Sequence, residues 1–148
     1  MQPTKNQFAL AELKFSYQTF KQSFFANEQE LSANFFMDLY HESKPASTNQ
    51  FYAVFINNDE EILCWYLLPE VIDIEVSCKQ MAGLAIACNA SGISIVHCSN
   101  ADRLRFGKFD RFLMLSCFTA CDVVGIQLID YLSCSPMGYI SFKNEFLN

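Results

Sequence analysis

Apolar positions along this chain follow two periods. Alternating or unbroken apolar runs of about four to eight residues predict strands, and recurrence every three to four predicts helices. "FALAELKFSY" (8–17) alternates, with Ala9, Ala11, Leu13, Phe15 and Tyr17 on one face, and predicts a strand or ribbon within an N-terminal extension, 1–30. Ser32 reads as the cap of a short helix over 33–41, which turns Phe35, Phe36, Leu39 and Tyr40 to the core. "HESKPASTN" (41–49) is a polar loop that contains the helix-ending Pro45. "FYAVFIN" (51–57), "NDE" (58–60) and "ILCWYLL" (62–68) spell strand, turn and strand. Both strands are apolar almost throughout, which predicts a sheet covered on its two faces.

The second half continues the pattern. Ser77 is the expected cap of a helix over 78–88, whose small residues Ala82, Gly83, Ala85 and Ala87 permit close approach to the sheet. "GISIVHC" (92–98) is a continuous apolar run and predicts a central strand. "SNADRLRFG" (99–107) is irregular. A long helix over 108–123 is expected to gather Phe109, Phe112, Leu113, Ser116, Cys117 and Ala120 on one side and to end at Gly125. "IQLIDYLS" (126–133), "CSPMG" (134–138) and "YISF" (139–142) complete the chain as strand, turn and strand. The order β, α, β, β, α, β, α, β, β predicts an α/β sandwich of helices on a mixed sheet. The 148 residues fit one domain with a single core.

Composition narrows the function classes. The formal net charge of −6 argues against non-specific binding to nucleic acid, which needs Lys and Arg to displace counterions. The local basic group Arg103, Arg105, Lys108 and Arg111 reads as a solvated loop and helix start. The opening "MQPTKNQFALAEL" lacks an apolar h-region, and no run reaches the about 18 apolar residues of a membrane span. Seven cysteines, without any C-x-x-C, read as reduced thiols in a cytoplasm. Cys117 and Cys121 share a helix face and read as packing rather than as ligands.

One stretch carries candidate chemistry. In "IVHCSNADRLRFGKFD" (95–110), His97 closes a strand, Ser99 follows two residues on, and Asp110 opens a helix. Residues i and i+2 of a strand point the same way, so two histidines so placed can share a metal. A carboxylate at the start of a following helix can supply a third ligand. Hydrolytic zinc needs three protein ligands, an open position for water and a base beside it. Here the second position holds serine.

The sequence resembles the RadC-like branch of the JAMM/MPN metallopeptidase superfamily over most of its length. "TNQFYAVFIN" (48–57) is similar to that branch's "V-E-Q-F-K-V-L-L-L-N", and "NASGISIVH" (89–97) to its "N-A-A-A-V-I-L-V-H". "GIQLIDYLSCSPMGYISFKNEFL" (125–147) is similar to its closing "G-I-x-V-L-D-H-L-I-I-x-x-x-x-Y-x-S-F-x-x-x-G-L-L". The resemblance implies an MPN/JAB-like (cytidine-deaminase-like) mixed sheet with helices on both faces. It also places the family's site on five residues. The catalytic Glu falls at Asn49, the first His is His97, the second is Ser99, the Ser that polarises the substrate carbonyl is Gly107, and the ligand Asp is Asp110; beside these five, Asn100 stands where the motif has Pro. Asn49 cannot take a proton from metal-bound water, Ser99 is a poor zinc ligand, and Gly107 has no side chain to donate.

What remains is a hydrogen-bonded His97–Asp110 pair, with Asp110 also favoured at a helix N-terminus. Cys98 should face the opposite side of the sheet, which disfavours a Cys–His dyad. The zinc-deaminase motif H-x-E with P-C-x-x-C is absent. Three readings stand. The first is an inactive RadC-like domain without a cofactor, serving as a binding or structural module, with a peptide or protein segment in the ancestral groove or a second copy as partner. The second is a zinc-dependent hydrolase with altered ligands, using His97, Asp110 and Asp102 or Cys98. The third is a DNA-repair-associated protein, which the acidic balance disfavours.

Overall fold

The computed structural model describes residues 29–43, 49–69 and 73–147. The strand expected over 8–17 lies outside them, as does most of the 1–30 extension. Among the described residues, five strands form one mixed sheet in the order β2-β1-β3-β4-β5. The strands are β1 (Asn49–Ile56), β2 (Ile62–Leu67), β3 (Gly92–Ser99), β4 (Gln127–Ser135) and β5 (Gly138–Ser141). Only β3 and β4 run parallel; the other neighbours are antiparallel. The apolar run 92–98 is the central strand, as its sequence predicts. Helices α1 (Gln29–Ser43), α2 (Ile74–Ala87) and α3 (Lys108–Val123) cover the sheet.

Strand alternation divides the core in two. Tyr52, Val54, Val96 and Cys98 face α1, where Phe36 and Tyr40 are buried. Ala53, Phe55, Ile93 and Ile95 face α2 and α3, against Met81, Ala85, Leu113 and Cys117. This is the sheet buried on two faces that the apolar strands call for. The register of β4 slips by one residue beside Ile93, so that Ile129 is an extra residue and Tyr131 pairs with Ile95. A slip of one residue exchanges the faces of every side chain beyond it. It puts Tyr131 on the α3 side, where His97 also lies.

Several local expectations change. Helix α1 starts at Gln29, so Ser32 is a buried residue within it rather than its cap. Helix α2 starts earlier than expected because Asp73, not Ser77, caps it; its carboxylate accepts from Val76 N at 3.2 Å. Of the small residues of α2, Ala82 and Ala85 are buried, while Gly83 and Ala87 are exposed. Strand β4 runs on to Ser135, which shortens the expected 134–138 turn.

Helix α3 spans the predicted residues, and Gly125 follows it with φ +74, the left-handed conformation that glycine adopts at low cost. Its buried side, however, is Asp110, Leu113, Cys117 and Cys121, and both Phe109 and Phe112 are exposed. The Cys117 and Cys121 sulfurs lie 3.8 Å apart within the packed face.

Candidate functional site

The end of β3 and the start of α3 meet at one carboxylate. Asp110 is 4% exposed. Its Oδ1 lies 2.7 Å from His97 Nδ1 and accepts from the Tyr131 hydroxyl at 2.6 Å. Its Oδ2 accepts from the Gly107 backbone N–H at 2.7 Å, half of a capping box at the first turn of α3. Burial pushes the Asp110 carboxyl up. The hydrogen bond and charge of His97, with the Tyr131 hydroxyl and the Gly107 N–H, outweigh it and leave the group below its usual value. The carboxylate is therefore ionised at neutral pH and can only accept, so His97 Nδ1 carries the proton. Burial, reinforced by the Asp110 charge, raises Tyr131 far above its usual range and keeps it a donor.

The other ring nitrogen is also engaged. His97 Nε2 lies 2.8 Å from Asn49 Oδ1. The amide can accept from this nitrogen or, turned over, donate to it. Asn49 reaches it because β1 pairs antiparallel with β3, with Asn49 opposite Ser99 and Phe51 opposite His97. The Phe51 ring stacks on the imidazole at 4.2 Å between centroids. Ser99 shares the His97 face, is buried, and accepts from Ala101 N at 3.3 Å.

All five positions singled out in the sequence thus gather at one place. Asn49, His97, Gly107 and Asp110 are linked by hydrogen bonds, and Ser99 lies across from Asn49. Cys98 faces α1 instead, fully buried, and its hydrogen bond with Cys134 and its burial push the thiol up, away from nucleophilic use. Asp102, Arg103 and Arg105 are exposed on the intervening loop, and Lys108 and Arg111 are exposed on the first turn of α3.

Tyr131 is the participant that the sequence reading passes over, taking "LIDYLS" only as a strand. One sign of it was available: the similar family run has His at this position.

A family model described as a RadC-like JAB domain matches residues 26–147. The chain belongs to this family. Over 61 residues the domain is 33% identical to a UPF0758 protein of Actinobacillus pleuropneumoniae serotype 5b (strain L20), a match covering 41% of this chain and 28% of that relative. UPF0758 proteins of serotype 3 (strain JL03) and serotype 7 (strain AP76) of the same organism match to the same extent. The mixed sheet and its helices agree with a JAB/MPN fold. No helix among the described residues is long and apolar enough to cross a membrane.

Zinc does not fit the donor set of this RadC-like JAB domain. The set offers one imidazole and one carboxylate, where hydrolytic zinc has three ligands. His97 Nδ1 is protonated toward Asp110, Nε2 is capped by the Asn49 amide, and Asp110 Oδ1 already accepts two hydrogen bonds. Coordination would have to break bonds that are already satisfied.

The network predicts a pH dependence. A group whose folded pKa is depressed adds stability above its unfolded value of about 3.9, and that stability is lost as pH falls through the folded value. Chemical denaturation of the wild type and Asp110→Asn should give a gap that is constant at neutral pH and narrows below about pH 4. A gap that widens on acidification would show that the carboxylate is not held by these donors.

Proposed function

We propose that this chain is a catalytically inactive RadC-like JAB domain that works without zinc as a binding or structural module. The observation that carries the reading is that His97 and Asp110 satisfy one another, with Asn49 and Tyr131 completing the set. The groups that would serve a metal and its water serve the fold instead. They join β1, β3, β4 and α3 through one imidazole and one carboxylate. Asn49 at the position of the family's base has no proton-accepting carboxylate. A peptide or protein segment, added to a sheet edge through main-chain hydrogen bonds, is the partner that a retained groove fits. The net charge of −6 disfavours nucleic acid in that role. Seven free thiols, six of them buried, suit a reducing cytoplasm.

Elemental analysis tests the reading. Protein purified without added zinc is expected to hold far less than one equivalent. Stoichiometric zinc that survives dialysis against a weak chelator would contradict it and favour a hydrolase with altered ligands.

A further inference from the structure

Helix α3 is apolar on two opposite sides. Leu113, Cys117 and Cys121 face the sheet, fully buried. On the other side Phe112, Leu115 and Phe118 are 54%, 63% and 52% exposed. A surface helix normally carries one apolar stripe toward the core and a polar face outward, so a second cluster of exposed large apolar side chains marks an interaction surface. At about 100° per residue, Lys108, Arg111, Phe112, Phe118, Thr119 and Asp122 all fall within about 60° of Leu115, forming one outward ridge with an apolar centre and polar flanks.

Two apolar hollows flank this ridge. One, of about 540 Å³, lies toward β4 and the helical turn Lys143–Leu147 that follows β5. The other, of about 590 Å³, lies toward α2. Leu115 borders both. A small ligand would fill one hollow and leave the ridge bare. A protein surface laid over Leu115 covers the ridge and both hollows together.

Charge selects which surface. Lys108 opens α3 and Asp122 closes it, each the wrong sign for the helix dipole at its end. Neither has an ion-pair partner among the described residues. The ridge is also symmetric in sequence. Phe112 and Phe118 each lie three residues from Leu115, and Lys108 and Asp122 each lie seven from it. When two such helices run antiparallel about Leu115, Phe112 meets Phe118, Leu115 meets itself, Lys108 meets Asp122, and Arg111 lies opposite the neutral Thr119, where it meets no like charge. Each misplaced charge then faces its opposite.

We propose that the outward ridge of α3 is a self-association surface, on which a second copy of this chain packs its own α3 antiparallel about a two-fold axis through Leu115. Such an interface is isologous and closes as a dimer. The preceding residues 1–28 are also rich in aromatics, but they lead into α1, on the opposite face of the sheet from α3.

Light scattering and sedimentation of the full chain test this at roughly 10–100 µM, a range set by the weak-to-moderate affinity of small interfaces. The wild type is expected at twice 16.9 kDa. Leu115→Glu is expected at 16.9 kDa with an unchanged melting curve at high dilution, because the side chain is already exposed. Lys108→Asp and Asp122→Lys should each weaken the dimer roughly 10-fold, and combining them should restore it, because two exposed ion pairs are at stake. A monomeric wild type would give the ridge to another occupant, residues 1–28 or a different protein, and overturn the proposal. So would a dimer that survives Leu115→Glu. A double reversal that binds no more tightly than the single ones would overturn the antiparallel register.

Discussion

Replacing Asp110 with Ala is expected to destabilise the domain by about 3–4 kcal/mol, because it removes the buried acceptor that several donors share. Asp110 is 4% exposed and accepts from three donors on three different segments. Without it, the hydroxyl of the fully buried Tyr131 has no acceptor, at ~1–3 kcal/mol for such a group. The His97 Nδ1–H and the first turn of α3 lose theirs as well. In a domain of this size each kcal/mol moves the melting temperature by about 2–4 °C, so a fall of about 10 °C is expected. Tyr131→Phe should cost only ~1 kcal/mol, because it removes one donor and leaves the carboxylate its other two. Thermal and urea unfolding measure both. A residue retained for chemistry at the expense of stability behaves the other way, and its removal costs little or even stabilises. A neutral or stabilising Asp110→Ala would therefore overturn the structural role assigned to the pair.

The second large effect concerns repair of the zinc site. Ser99→His is expected to tighten zinc binding on the order of 100-fold over the parent, since four-ligand zinc sites are worth ~10–16 kcal/mol and one ligand carries a fair share of that. Position 99 lies on the His97 face of β3, and β1 holds Asn49 directly across. The new imidazole would compete with the internal bonds for His97 and Asp110, so the gain falls short of a full ligand's worth. Asn49→Glu and Gly107→Ser add a base and a hydrogen-bond donor rather than affinity. There is room for the latter, because a Cβ at Gly107 would lie 3.4 Å from Asp110 Oδ2. Calorimetric titration of zinc into the parent, Ser99→His and the triple variant separates these contributions. If neither variant binds more tightly than the parent, the loop 99–107 no longer presents a metal framework.

Much of the site was legible because it rests on local periodicity. His97 and Ser99 share a face through strand alternation, Asp110 opens a helix whose bounds matched, and Cys98 turned away as alternation requires. The resemblance supplied Asn49 and Gly107, and the structure placed them beside the others. Tyr131 was hidden because its face depends on the slip at Ile129, a register set between two strands far apart in sequence. Nothing within "IQLIDYLS" marks that slip. The bond from Asn49 to His97 was hidden for a similar reason, since it spans 48 positions and depends on how β1 pairs with β3.

The helix caps were misread where two residues competed for one role. Asp73 lies four residues before Ser77, and the longer helix wins because its first turn is capped by the Asp73 carboxylate and packs Ile74 against the core. The buried side of α3 was misjudged by counting aromatics. Leu113, Cys117 and Cys121 fit against the sheet, and Phe112 was left outside. Amphipathic periodicity cannot choose between two apolar sides of one helix. The choice is made by the surface that the helix packs on.

In the proposed function His97 and Asp110 hold each other rather than a metal. Nitrogen–proton correlation spectra of the imidazole, recorded with and without equimolar zinc, test it most directly. A hydrogen-bonded Nδ1–H resonance for His97 is expected that is present without zinc and does not change on its addition. Loss of that proton on zinc addition, with the ring nitrogen shifted by coordination, would contradict it.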